Sequence, residues 1–214
     1  MSDAFESMDR MYRIQRYFYD LTRKYYLLGR DELLDEMNVQ PGERVLEAGC
    51  GTARNLIILG KRHPDSHFYG LDASAAMLET AQSKADAAGV KNLVLKTALA
   101  DNFTSDGTFG LHEKFDKIFF SYSISMIPPW RESIENALAN LQPGGELFIV
   151  DFYDQADLPA PFRRFLKWWL AKFHVQFWSG LMPFLDSLGT SGSAKVKIRQ
   201  LFRRYSFIAS IKKS

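Results

Sequence analysis

The sequence predicts an α/β domain built on a mostly parallel sheet with helices on both faces. Three observations carry that prediction. Strand-like and helix-like patterns alternate from residue 44 to residue 152, as they do in chains of β-α-β units. Residues 45–55, Val-Leu-Glu-Ala-Gly-Cys-Gly-Thr-Ala-Arg-Asn, run from a buried-strand pattern through Gly49-Cys50-Gly51 into a helix start, as a strand turning sharply over a ligand does. A second short apolar run ends in Asp72, where an acid in open α/β sheets accepts hydrogen bonds from ribose hydroxyls.

The elements follow in order. Residues 8–37 predict two helices broken near Gly29, the second capped by Asp31 and ending near Met37, before Pro41-Gly42. Strands are expected over 44–47, 66–71, 93–97, 115–122 and 146–152, with helices over 53–62, 75–88 and 130–141. Residues 101–114 read as a loop and Pro143-Gly144-Gly145 as a tight turn. Two strand-like runs within 194–213 predict a closing antiparallel hairpin, which brings the sheet to seven strands. The chain thus divides into a helical lid (1–40), a ligand-binding core (41–155), and a basic aromatic cap helix with closing strands of the same domain (156–214).

A chain of 214 residues with 46% hydrophobic residues buries one sizeable core. The single cysteine, Cys50, excludes a disulfide framework, and no Cys/His cluster calls for a metal. Neither a signal peptide nor an apolar run of about 20 residues is present, so a cytoplasmic protein is expected. The net charge of +2 conceals a polarised chain. Residues 161–214 hold 11 Lys/Arg against one acid, Asp186, whereas residues 1–160 hold 16 against 24. That asymmetry points to an anionic partner at the C-terminal end.

The glycine loop is selective about its ligand. Arg54 stands where the dinucleotide fingerprint G-x-G-x-x-G has its third glycine. Glu47 precedes the loop, where phosphates gain nothing from a carboxylate and a cationic sulfonium tolerates one. The pattern resembles motif I of class I S-adenosylmethionine (SAM) methyltransferases. The resemblance implies a Rossmann-like methyltransferase fold with SAM as co-substrate and no metal. It places Glu47, Gly49, Cys50, Gly51, Asn55, Asp72, Ala73, Met77, Ala98, Leu99 and Ser121 around SAM. Taken alone, Asp72 also fits an N-cap of the next helix. Ser121, Tyr122 and Ser123 end the fourth strand, where co-substrate and acceptor meet in such sheets, and Asp151 and Asp154 follow the fifth.

Longer stretches resemble a narrower group. Tyr19-Asp20-Leu21-Thr22-Arg23-Lys24-Tyr25-Tyr26-Leu27-Leu28-Gly29-Arg30-Asp31, Ser121–Trp130, Ile149-Val150-Asp151-Phe152 and Trp169–Val175 are similar to the betaine-lipid N-methyltransferases. These trimethylate the amino group of diacylglycerylhomoserine. Gln176-Phe177 departs from the Pro-Arg type turn of that family. The resemblance implies Tyr122, His174 and Asp154 as candidates to sit near the amine and take its proton. Tyr19, Arg23, Tyr26 and Arg30 recur at spacings of four, three and four, and so share one helix face. Such a face could close over SAM and, with Ser123, hold the substrate, Arg23 or Arg30 pairing a carboxylate.

In the stretch Pro161–Leu185, Arg163, Arg164, Lys167 and Lys172 alternate with Phe162, Phe165, Trp168, Trp169, Phe173, Phe177 and Trp178. It fits either a cap helix with its apolar face in the core or contact with an anionic membrane surface. Nucleic acid is not expected, because no recognisable module accompanies the charge. Competing readings are a phosphatidylethanolamine or small-amine methyltransferase, and a non-catalytic SAM-binding module at the membrane.

Overall fold

The computed structural model describes residues 27–173, 175–192 and 194–213. The elements are α1 (Arg30–Glu36), β1 (Arg44–Ala48), α2 (Arg54–Arg62), β2 (His67–Asp72), α3 (Ala75–Ala87), β3 (Leu93–Thr97), α4 (Ser105–Phe109) and β4 (Phe115–Ser121). A 3₁₀ turn (Ile124–Met126), α5 (Trp130–Asn140), β5 (Leu141–Phe152), α6 (Ala160–Ala171), α7 (Leu181–Thr190), β6 (Ala194–Leu201) and β7 (Ser206–Lys213) complete the chain. The seven strands form one sheet in the order β3-β2-β1-β4-β5-β7-β6. β1 to β5 are parallel, and β7 runs antiparallel to both β5 and β6.

Alternation along the central strands sends neighbouring residues to opposite cores. Val45, Phe119, Phe148 and Val150 pack with Leu33, Leu56, Leu59, Leu78, Leu166 and Leu170 on one face. Leu46, Phe120, Leu147 and Ile149 pack with Ile134, Ala137, Leu181 and Leu185 on the other. α6 and α7 therefore lie on opposite faces of the sheet. The chain joining them passes the carboxyl end of β5, held there by Gln176 N–H donating to Ser125 O (2.8 Å) and Trp178 Nε1–H to Ile124 O (2.9 Å). Among the described residues no helix is long and apolar enough to cross a membrane.

Three local expectations are corrected. Asp31 does not cap α1; Gly29 holds the N-cap at φ 87° with no side-chain cap. A Cβ on Gly29 would come within 2.6 Å of Leu201 Cδ1, a side-chain tip that can shift, so the positive φ is what favours glycine there. Residues 101–114 are not all loop. Thr104 accepts from Gly107 N–H and opens the short α4, which Gly110 closes at φ 69°. Pro143-Gly144-Gly145 lies inside β5 as a bulge: Phe115 pairs with Leu141 and Lys117 with Glu146, so 142–145 leave the ladder.

Candidate functional site

The carboxyl ends of β1, β2 and β4 converge at the glycine loop. Gly49 N–H and Cys50 N–H both donate to Leu71 O (2.8 and 3.0 Å), folding the loop back over β2. Gly49 has φ 74°, and a Cβ there would meet Ser123 Cβ at 2.6 Å. Asp72 is buried and fixes the loop from the other side: Oδ2 accepts from Gly51 N–H (2.8 Å) and Oδ1 from Ser74 N–H (2.9 Å). Ser74, not Asp72, is the N-cap of α3, accepting from Met77 N–H. A buried carboxylate at the end of β2 is the acceptor that a ribose diol requires.

A cavity opens beside this loop, lined by Arg30, Glu47, Gly49, Cys50, Asn55 and Ser121, among others. The structure thereby brings together six of the residues that the sequence nominated. Asn55 Nδ2 donates to Glu47 Oε1 (2.7 Å), which fixes the orientation of the buried carboxylate. Ser121 Oγ is buried without a hydrogen-bond partner. A polar ligand carrying both a cation and hydroxyls fits this donor and acceptor set. SAM would be held by Asp72 at its ribose, with Glu47 and Arg30 toward its amino-acid end and Ser121 beside them. Ala73, Met77, Ala98 and Leu99 lie around the end of β2, with Ala98 N–H donating to Asp72 O (3.1 Å) and Met77 buried in the core. Arg54, in the place of the third glycine, pairs with Asp31 (3.0 Å) and ties α2 to α1. Burial pushes the Cys50 thiol well above its ordinary range, helped by the Asp72 and Glu47 carboxylates, so it stays a neutral packing group.

Two of the three residues expected near the amine, Tyr122 and Asp154, are bonded to other parts of the chain. Tyr122 is buried at φ 55°, and its hydroxyl donates to Leu28 O (2.5 Å). Burial holds the phenol well above its ordinary pKa. It is a strut between β4 and the segment before α1, and its proton is committed there. Tyr122→Phe is expected to lower stability by about 1 kcal/mol in urea unfolding and to leave the pH profile of turnover unchanged. Ser123 likewise turns from substrate to loop: its hydroxyl donates to Ala48 O (2.9 Å). Asp154 is held below the usual carboxylate range by Arg204, whose Nε donates to Oδ1 (2.8 Å) and whose Nη2 reaches Oδ2. An acid so paired is a poor proton acceptor. His174, Tyr19, Arg23 and Tyr26 lie outside the described residues.

Asp151, at the carboxyl end of β5, faces inward. It is 1% exposed, with Oδ2 accepting from Ser125 N–H (2.9 Å) and Oδ1 from Phe152 N–H (2.7 Å). It lines a second cavity of about 360 Å³, with Phe152, Asp154, Lys167, Phe177 and Trp178 around it. That volume lies within the range of small-molecule sites. Burial raises the Asp151 pKa to about 6, against the lowering effect of the Ser125 and Phe152 N–H groups. The native state then keeps a proton that the unfolded chain releases between pH 3.8 and about 6. Stability is expected to fall across that window by about 2–3 kcal/mol and to level off above it. Urea unfolding of the wild type and Asp151→Asn at matched pH checks this, the difference between them carrying the slope. Among the described residues no group of three or more His, Cys, Asp or Glu could hold a metal ion.

A family profile described as a methyltransferase domain matches residues 40–186. The chain is 28% identical over 160 residues to O-methyltransferase rstn1 of Aspergillus nomiae, covering 73% of this chain and 65% of that protein. It is also 28% identical over 157 residues to demethylmenaquinone methyltransferase of Listeria welshimeri, covering 72% and 61% respectively. The match spans under two thirds of each relative's length. A crystal structure of a SAM-dependent methyltransferase from Aquifex aeolicus superposes with a TM-score of 0.61 at 17% identity, over 99% of this chain and 98% of that one; at that identity the likeness concerns the fold. The profile takes in well over half of the chain, including the glycine loop, Asp72 and both cavity-bearing strand ends. The chain therefore belongs to the methyltransferase-domain family and carries a class I SAM-dependent methyltransferase fold.

Proposed function

We propose that the protein is a SAM-dependent N-methyltransferase that converts the amino group of diacylglycerylhomoserine to its trimethyl betaine, working at an anionic membrane surface. SAM, when bound, supplies a sulfonium methyl that passes to the amine nitrogen as the S–CH₃ bond breaks and S-adenosylhomocysteine leaves, three times over for the trimethyl product, the nitrogen losing a proton to water before each transfer. The chain's share is positioning and exclusion of water: the loop at Gly49–Gly51 and Asp72 hold one reactant, and the aromatic cavity at the ends of β4 and β5 takes the other.

The observation that carries the lipid reading is the outer face of α6. Leu166 and Leu170 turn inward and are buried, yet Phe162, Phe165 and Trp168 are 49%, 56% and 57% exposed on the same helix. Arg163, Arg164, Lys167 and Lys172 surround them. A helix with a second, exposed apolar face ringed by cations suits the interface of an anionic bilayer, where the rings enter and the long stems reach headgroups. α6 also contributes Lys167 to the acceptor cavity, so a lipid at this surface would present its headgroup where the cavity opens. The stretches similar to betaine-lipid N-methyltransferases point to the same acceptor. Demethylmenaquinone, named by one relative, is the competing acceptor.

The test is transfer of labelled methyl from SAM to mixed micelles of diacylglycerylhomoserine, phosphatidylethanolamine or demethylmenaquinone, with products resolved by mass. Methylation of the homoserine lipid through to the trimethyl form supports the reading. Activity confined to either other acceptor, or to none, overturns it.

A further inference from the structure

The acceptor cavity has a charge arrangement more specific than a lipid surface requires. Two acids and one lysine line it. Asp154 is already neutralised by Arg204 through two hydrogen bonds. That leaves Asp151, deep and almost fully buried, and Lys167, on an exposed turn of α6 at the mouth. Both hydrogen bonds to Asp151 in the structure come from backbone N–H groups, and these donors orient the carboxylate without cancelling its charge. Aromatic rings line the same cavity. Phe152 and Phe177 lie 6.5 Å apart, and the Phe177 face already receives Lys167 Nζ at 5.1 Å, a cation–π geometry.

We propose that this cavity is a headgroup site for a zwitterionic α-amino acid, with its amino nitrogen against Asp151 and its carboxylate toward Lys167. This rests on the methyl-transfer reading for its biological use, but the site is defined by its own residues. An anion at the bottom and a cation at the rim orient a headgroup whose amine must lead and whose carboxylate must follow. The Phe152 and Phe177 rings accommodate the nitrogen as methyl groups replace its N–H donors, because cation–π attraction survives full methylation while hydrogen bonding does not. A neutral ring acceptor would leave the buried Asp151 without a counter-charge, at a desolvation cost. Ser123 is bonded to Ala48 at the end of β1 and Ser125 to Asp151, so the turn at 123–126 links the Asp151 end of this cavity to the strand that carries the glycine loop, and the amine end of the headgroup is the end that faces the methyl donor.

Calorimetric titration of the protein saturated with S-adenosylhomocysteine tests the site without relying on turnover. The ligands are homoserine and homoserine methyl ester, which keeps the amine and loses the carboxylate charge. Asp151→Asn is expected to weaken homoserine binding about tenfold or more. Lys167→Met is expected to weaken homoserine about fivefold and to leave the methyl ester unchanged, because the pair it breaks is absent there. Equal losses for acid and ester in Lys167→Met, or wild-type binding indifferent to esterification, overturns the proposal. Lys167 is on an exposed helix face, so this variant keeps the test sound even where Asp151→Asn unfolds. If homoserine binds as expected while lipid transfer fails, the headgroup site stands and the lipid reading falls; the opposite result separates them the other way.

Discussion

Asp72→Asn is expected to weaken SAM binding about a hundredfold, measured by calorimetry with SAM or S-adenosylhomocysteine. The carboxylate accepts from Gly51 N–H on one oxygen and Ser74 N–H on the other. An amide has one acceptor and one donor in their place. Whichever way it turns, its NH₂ faces a backbone N–H, either in the glycine loop or at the start of α3. The loop therefore relaxes at the same time as the ribose loses a charged acceptor, and hydrogen bonds to a charged group contribute about 1.5–3 kcal/mol each. A dissociation constant within threefold of wild type would show that the acid serves the loop alone.

Gly49→Ala is expected to cost about 3–5 kcal/mol in urea unfolding and to abolish SAM binding in whatever fraction folds. Two penalties add. The residue sits at φ 74°, and the new Cβ falls 2.6 Å from Ser123 Cβ, which has nowhere to go while its hydroxyl is bonded to Ala48 O. The double variant with Ser123→Gly removes the collision and leaves the backbone strain. It is expected to recover about half of the loss, and full recovery would mean that φ contributes nothing.

The parts of this fold that were legible in the sequence are those set by local chemistry. The β1–loop–α2 unit, the acid ending β2 and the closing hairpin each announce themselves within about ten residues, through alternation, paired glycines and turn residues. The parts that were not legible depend on partners far along the chain. Asp31 reads as a cap because an acid before an apolar helix often is one, but Arg54, 23 residues on, claims it as an ion pair. Asp151 and Asp154 look alike as acids at the end of the fifth strand. What separates them is Arg204, which neutralises one, and Ser125 N–H, which orients the other inside the cavity. Ser123 and Tyr122 occupy the strand end where function was sought, and their hydroxyls are spent on Ala48 and Leu28. A signal was present for Asp151: it is the one acid in the apolar run Phe148–Phe152, and a charge in a buried strand requires a reason.

The C-terminal excess of positive charge includes two populations with unrelated tasks. One belongs to α6. The other, Lys195, Lys197 and Arg199, alternates along β6, which ends the sheet and so carries an unpaired row of backbone donors and acceptors. Cations spaced two apart on a border strand repel any second strand that would dock there, and thus stop the sheet from growing into a neighbouring molecule. Arg199 also reaches back to Glu32 and Glu36, fastening α1 over that border. Insulation of the open border keeps copies of the chain apart, and it is written in the same residues that add to the net positive charge of the C-terminal segment.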